Sequence, residues 1–92
     1  MKKKIHIVIT GKVQGVGFRY WLYQIANEKN VYGWVKNKNT NEVEAVLIGD
    51  GDCVDSIIKL CEKGPSSARV ENLSIQNYQK EYLRKSFDIL HD

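Results

Sequence analysis

Residues 11–21, GKVQGVGFRYW, hold three glycines, one arginine and three aromatics. Glycines let the backbone come close to a ligand and adopt positive φ. Successive N–H groups of such a loop can converge into an anion-binding concavity. A helix that starts directly afterwards adds about half a positive charge at its N-terminus. The guanidinium of Arg19 is a planar fork suited to two oxygens of a phosphoryl group. Gln14, Gly15, Val16, Gly17, Phe18 and Arg19 therefore form the candidate phosphate-binding set. The same residues would also make a plain glycine-rich turn with a surface arginine. The loop is not the G-x-x-x-x-G-K-[ST] nucleotide motif, because it lacks the lysine and the magnesium-binding hydroxyl.

Asn37 is the second candidate. In an extended YGWVKN segment it shares a face with Gly33 and Val35, near the strand end. A carboxamide donates and accepts at once, so it can hold a water beside an anion. Alternatively, it is a strand-end asparagine preparing a turn. His6 and His91 do not read as a catalytic pair, since one lies on the open face of the first strand and the other in the C-terminal tail. Tyr20, Trp21, Tyr23 and Trp34 read as packing or half-exposed platforms.

The elements that must position these residues follow from periodicity. KIHIVIT, residues 4–10, alternates, with Ile5, Ile7 and Ile9 on one face, and predicts a strand. Phe18, Leu22, Ile25, Ala26 and Lys29 mark a helix over about residues 19–29, with Asn30 available for a left-handed cap. YGWVKN and EVEAVLIG predict a hairpin around KNTN, where Asn39 and Asn41 tolerate left-handed torsions. Residues 52–63 predict a second helix buried through Val54, Ile57, Ile58 and Cys61, with Asp52 as its cap and Gly64-Pro65 as its stop. ARVENLSIQNY and SFDIL supply the last two strands. The order β-α-β-β-α-β plus a terminal strand predicts an α+β, ferredoxin-like sandwich: an antiparallel sheet with two helices on one face.

Ninety-two residues, 42% hydrophobic and 27% charged, describe one folded domain spanning residues 1–92. The net charge of +3 suits a small anionic ligand and is thin for a duplex-binding surface. Cys53 and Cys61, on one helix, would lie about 12 Å apart along its axis, beyond disulfide reach. No spacing suits a metal, no stretch suits a membrane span, and the apolar run IHIVI is short for a signal peptide. A cytoplasmic protein is expected.

GKVQGVGFRYW and YGWVKN together resemble the two signatures of the acylphosphatase family, and the likeness continues through EVEA, GPSSARVENL and the terminal Phe87-x-Ile89. The resemblance implies hydrolysis of a small-molecule acyl phosphate to a carboxylate and inorganic phosphate. It implies that the loop amides and Arg19 bind the phosphate, that Asn37 orients the attacking water, and that no metal or organic cofactor takes part. Asn41 stands where the family's hairpin turn usually carries glycine, and the tail LHD departs from the frequent basic or aromatic ending.

Two other readings compete. Many ferredoxin-like domains bind single-stranded RNA on the open sheet face, which here would show His6, Val8, Trp34, Lys36 and Lys38; the paired-aromatic RNA signature is absent. Acylphosphatase-like units also occur as parts of larger carbamoyl-transfer maturation proteins, which 92 residues leave no room for. The expectation is a monomer with no nucleic-acid or membrane partner.

Overall fold

Isoleucines at alternate positions define the first strand. In the computed structural model, which describes residues 1–91, β1 runs Lys2–Lys12, with Ile7 and Ile9 fully buried and His6, Val8 and Thr10 on the other face. Asp92, the last residue of the tail, lies outside the described residues. α1 follows at Phe18–Glu28, burying Phe18, Leu22 and Ala26, and stops where Asn30 takes φ +57°. β2 (Tyr32–Lys38) and β3 (Glu42–Asp50) form the hairpin. α2 spans Gly51–Cys61, β4 Arg69–Asn77 and β5 Phe87–Ile89.

The strands lie in the order β4-β1-β3-β2-β5. The first four are antiparallel neighbours, as expected. β5 differs, because it pairs parallel with β2, Gly33 facing Phe87 and Val35 facing Ile89. The reason is topological. β4 ends at the end of the sheet where β2 begins, Asn77 lying opposite Ile5 while Lys4 faces Ile48 and Ile48 faces Tyr32. A chain that crosses the sheet at that end must then run alongside β2 in the same direction.

Both helices cover one face. Phe18, Leu22 and Ala26 of α1 and Val54, Ile57 and Cys61 of α2 share one cluster with Ile7, Ile9, Val35, Val43, Ala45 and Leu47. The opposite face is not fully open. Val46 and Ile48 are buried there, outside that cluster, where residues 78–86 cross from β4 to β5. Lys4 Nζ donates to the Lys80 carbonyl (2.7 Å), and the Tyr82 hydroxyl donates to the Gly33 carbonyl (2.8 Å), anchoring the crossing to β1 and β2.

Two local expectations are corrected. The cap of α2 is Asp50, which puts Asp52 inside the first turn, where its charge still faces the positive helix end. In the hairpin turn Asn39 takes the left-handed state (φ +57°) and Asn41 does not. The Asn39 amide also donates to Glu42 Oε1 (2.7 Å), a local bond that favours this geometry.

Candidate active site

The loop between β1 and α1 is built on two left-handed glycines. Gly15 has φ +73° and Gly17 φ +77°, torsions that side chains with a Cβ rarely adopt. A Cβ at either would meet nothing within 4 Å, so the need for glycine is conformational rather than steric. Gly17 is also the cap of α1, and no side chain caps that helix. The first helical bond runs from the Trp21 N–H to the Gly17 carbonyl (3.0 Å), so the N–H groups of Phe18, Arg19 and Tyr20 have no helical acceptor. The first turn carries no acidic residue of its own to offset the positive helix end.

Gln14 joins this loop to the hairpin. Its Nε2 donates to the carbonyls of Asn39 (2.8 Å) and Glu42 (2.9 Å), with a longer contact to Lys38 (3.4 Å). The Gly11 N–H donates to the Asn41 carbonyl (2.9 Å) beside it. Asn37 lies at the adjoining end of β2, opposite Val43, on the face covered by the helices. The loop, the start of α1 and the end of β2 thus meet at one end of the sheet.

A cleft of about 260 Å³ opens there. It is lined by Gln14, Gly15, Gly17, Phe18, Arg19 and Asn37, which the sequence singles out. Val16, from the same set, does not line it; its side chain packs against the core. Gln14 differs from the simple reading of a phosphate ligand, because its side-chain amide is taken up by the hairpin carbonyls and only its main-chain N–H remains for an anion. Among the described residues no Asp or Glu lines the cleft, and no cluster of three His, Cys, Asp or Glu could hold a metal.

Val13, Tyr20, Ile89 and His91 complete the wall. The sequence reads His91 as a tail residue without a catalytic partner; in the structure its Nδ1 lies 3.4 Å from Arg19 Nη1. Alternation from Phe87 and Ile89 was the available signal, since it places residue 91 on the helix-facing side. What alternation could not supply was the parallel register, which continues from Gly33–Phe87 and Val35–Ile89 toward Asn37 and His91.

The arrangement offers one guanidinium, several N–H groups without helical acceptors at a helix end and a carboxamide, around a space that no Asp or Glu lines among the described residues. Such a site neutralises a phosphoryl group and holds a small polar molecule next to it.

A sequence model of the family described as Acylphosphatase matches residues 5–89. The acylphosphatase of Rhodopseudomonas palustris is 43% identical over 77 residues, covering 84% of this chain and 78% of the relative. That of Syntrophus aciditrophicus is 40% identical over 94 residues, covering 100% of this chain and 96% of the relative. The crystal structure of the acylphosphatase from Bacillus subtilis superposes with a TM-score of 0.90 at 28% identity, covering 99% of this chain and 100% of that one.

Proposed function

This chain belongs to the acylphosphatase family and acts as an acylphosphatase on small acyl phosphates, and from that premise we propose that Arg19 and the loop N–H groups of Gln14, Gly15, Val16, Gly17 and Phe18 hold the phosphoryl group while Asn37 holds the attacking water. The observation that carries this assignment is the shared cleft: Arg19 at an uncapped helix start and Asn37 at a strand end line the same space.

The chemistry asks little of the protein beyond placement. The leaving group is a carboxylate, a weak base that departs without a proton. Water attacks phosphorus in line with the bond to the acyl oxygen; the new P–O bond forms as that bond breaks. The water's proton passes to a phosphoryl oxygen, so the products are a carboxylate and inorganic phosphate. Arg19 and the N–H groups stabilise the equatorial oxygens, where charge concentrates in phosphoryl transfer. Asn37 fixes the direction of attack, which turns an encounter with bulk water into a positioned step.

Paired substitutions test the roles. Arg19→Ala should lose phosphate affinity and activity together, by about 2–5 kcal/mol, since the anion loses its charged partner. Asn37→Ala should keep phosphate affinity while turnover falls about a hundredfold or more. Intact turnover in Asn37→Ala removes it from the mechanism. The wild-type rate is expected to be insensitive to chelators.

The RNA reading has less support. The open face is crossed by residues 78–86, and Glu44 puts a negative charge on it, accepting from the His6 ring at 2.6 Å and lying 3.9 Å from Lys36. A titration with single-stranded RNA at low salt should show no binding. We further propose a cytoplasmic monomer folding as one domain over residues 1–92. Cys53 and Cys61 are both free, and the exposed large hydrophobics Met1, Tyr20, Leu60, Ile75 and Leu83 sit on separate segments. Among the described residues no helix is long and apolar enough to cross a membrane.

A further inference from the structure

His91 reaches the cleft from the far end of the chain and touches the one residue expected to grip the substrate. Arginine only donates, so in the 3.4 Å contact from Arg19 Nη1 it is His91 Nδ1 that accepts. The contact is long for a hydrogen bond, so a dianion competes for the guanidinium with little to displace. Once the fork turns to a bound phosphoryl group, Nδ1 is left without its donor, a few ångströms from two negative charges. That setting favours the protonated imidazole.

We propose that His91 is a second substrate-binding group: its ring contacts Arg19 at the cleft wall, and as an imidazolium it faces the phosphoryl group beside Arg19. This rests on the assignment of the cleft as the phosphoryl site. Among the described residues, three elements face the ring. α1 presents Arg19 and Tyr20, β2 presents the uncharged Asn37, and the loop presents Gln14. On β5, Asp88 bonds to Ser86 and pairs with Arg84 at 3.4 Å, on the other side of the strand from Ile89. On β2, Lys36 alternates to the opposite face, where it lies over Trp34. Among the described residues no carboxylate lines the cleft.

One unit charge added about 6 Å from a dianion, in water-like surroundings, strengthens binding about tenfold, or about 1.4 kcal/mol. Sulfate is the probe, because it stays a dianion throughout the range in which imidazoles titrate. Its affinity should be measured by calorimetry between about pH 5 and pH 8 at low salt, for the wild type, His91→Gln, His91→Lys and Arg19→Ala. Wild-type affinity should rise about tenfold toward low pH relative to His91→Gln, while His91→Lys binds tightly at every pH. The KM for an acyl phosphate should follow the same curves, with kcat little changed. In NMR titrations the His91 ring should take up its proton at higher pH when sulfate is present. Parallel pH profiles for wild type and His91→Gln, or an imidazole titration unmoved by sulfate, overturn the role of His91. Sulfate that fails to bind the wild type, or binds Arg19→Ala equally well, overturns the phosphoryl site itself.

Discussion

Gln14→Ala separates anchoring of the loop from direct contact with phosphate. The Gln14 amide spans the gap between the loop and the hairpin, with two short bonds of 2.8 and 2.9 Å to the Asn39 and Glu42 carbonyls. The third contact, at 3.4 Å to Lys38, shares one of the same two hydrogens and adds little. Each intramolecular bond contributes about 0.5–1.5 kcal/mol net, so two give about 1–3 kcal/mol. Gln14 is half-buried and the turn residues Asn39 and Asn41 are exposed, so water replaces part of the loss. A value near the lower end, about 1–2 kcal/mol, is expected. For a domain of this size that lowers Tm by about 5–15 °C, read by thermal unfolding. Activity should fall further than stability. The clamp fixes the distance between the proposed phosphate loop and the strand that carries Asn37, and a misplacement of about 1 Å costs on the order of a hundredfold. With the protein fully folded at the assay temperature, kcat should fall about tenfold or more. Gln14→Glu should be worse in both measurements, because a carboxylate repels the carbonyls and the substrate alike. A Gln14→Ala protein with unchanged Tm and kcat refutes the clamp.

Other perturbations test the scaffold. Gly33 has φ +138°, and a Cβ there would sit 1.8 Å from the Val46 carbonyl oxygen. Gly33→Ala should therefore cost about 3 kcal/mol or more, measured by urea unfolding, and a loss under about 1 kcal/mol contradicts the packing of β2 on β3. Burial pushes the Cys61 thiol up to about 12, while Cys53 is only half-buried. A thiol-alkylating reagent should label Cys53 first in the folded protein, with Cys61 reacting only on unfolding; equal rates count against the buried face of α2. Between the ordinary thiol value of 9.0 and about 12 the unfolded chain holds fewer protons at Cys61 than the native one. Stability should fall as pH rises through that window, and replacing Cys61 by Ala should flatten the slope there.

Much of the fold and most of the lining of the candidate site are legible in the sequence because the signals are local. Alternation at Ile5, Ile7 and Ile9 and the helical stripe of Phe18, Leu22 and Ala26 decide which faces are buried. Gly15 and Gly17 announce left-handed torsions, and the residues that follow them announce a helix start, so a loop able to cradle an anion could be read directly. Asn37 was placed on the correct face by parity alone.

Tertiary structure decided whatever depends on how distant segments are brought together. Periodicity shows that Phe87 and Ile89 share a face, but not that their strand runs parallel to β2. That direction follows from where β4 ends, and it carries His91 to Arg19 across 72 positions of sequence. The bonds of Gln14 to the hairpin and the burial of Val46 beneath the crossing segment are of the same kind. A residue's torsion and parity are set by its neighbours in the chain. Its partners are set by chain crossings that cooperative folding alone selects.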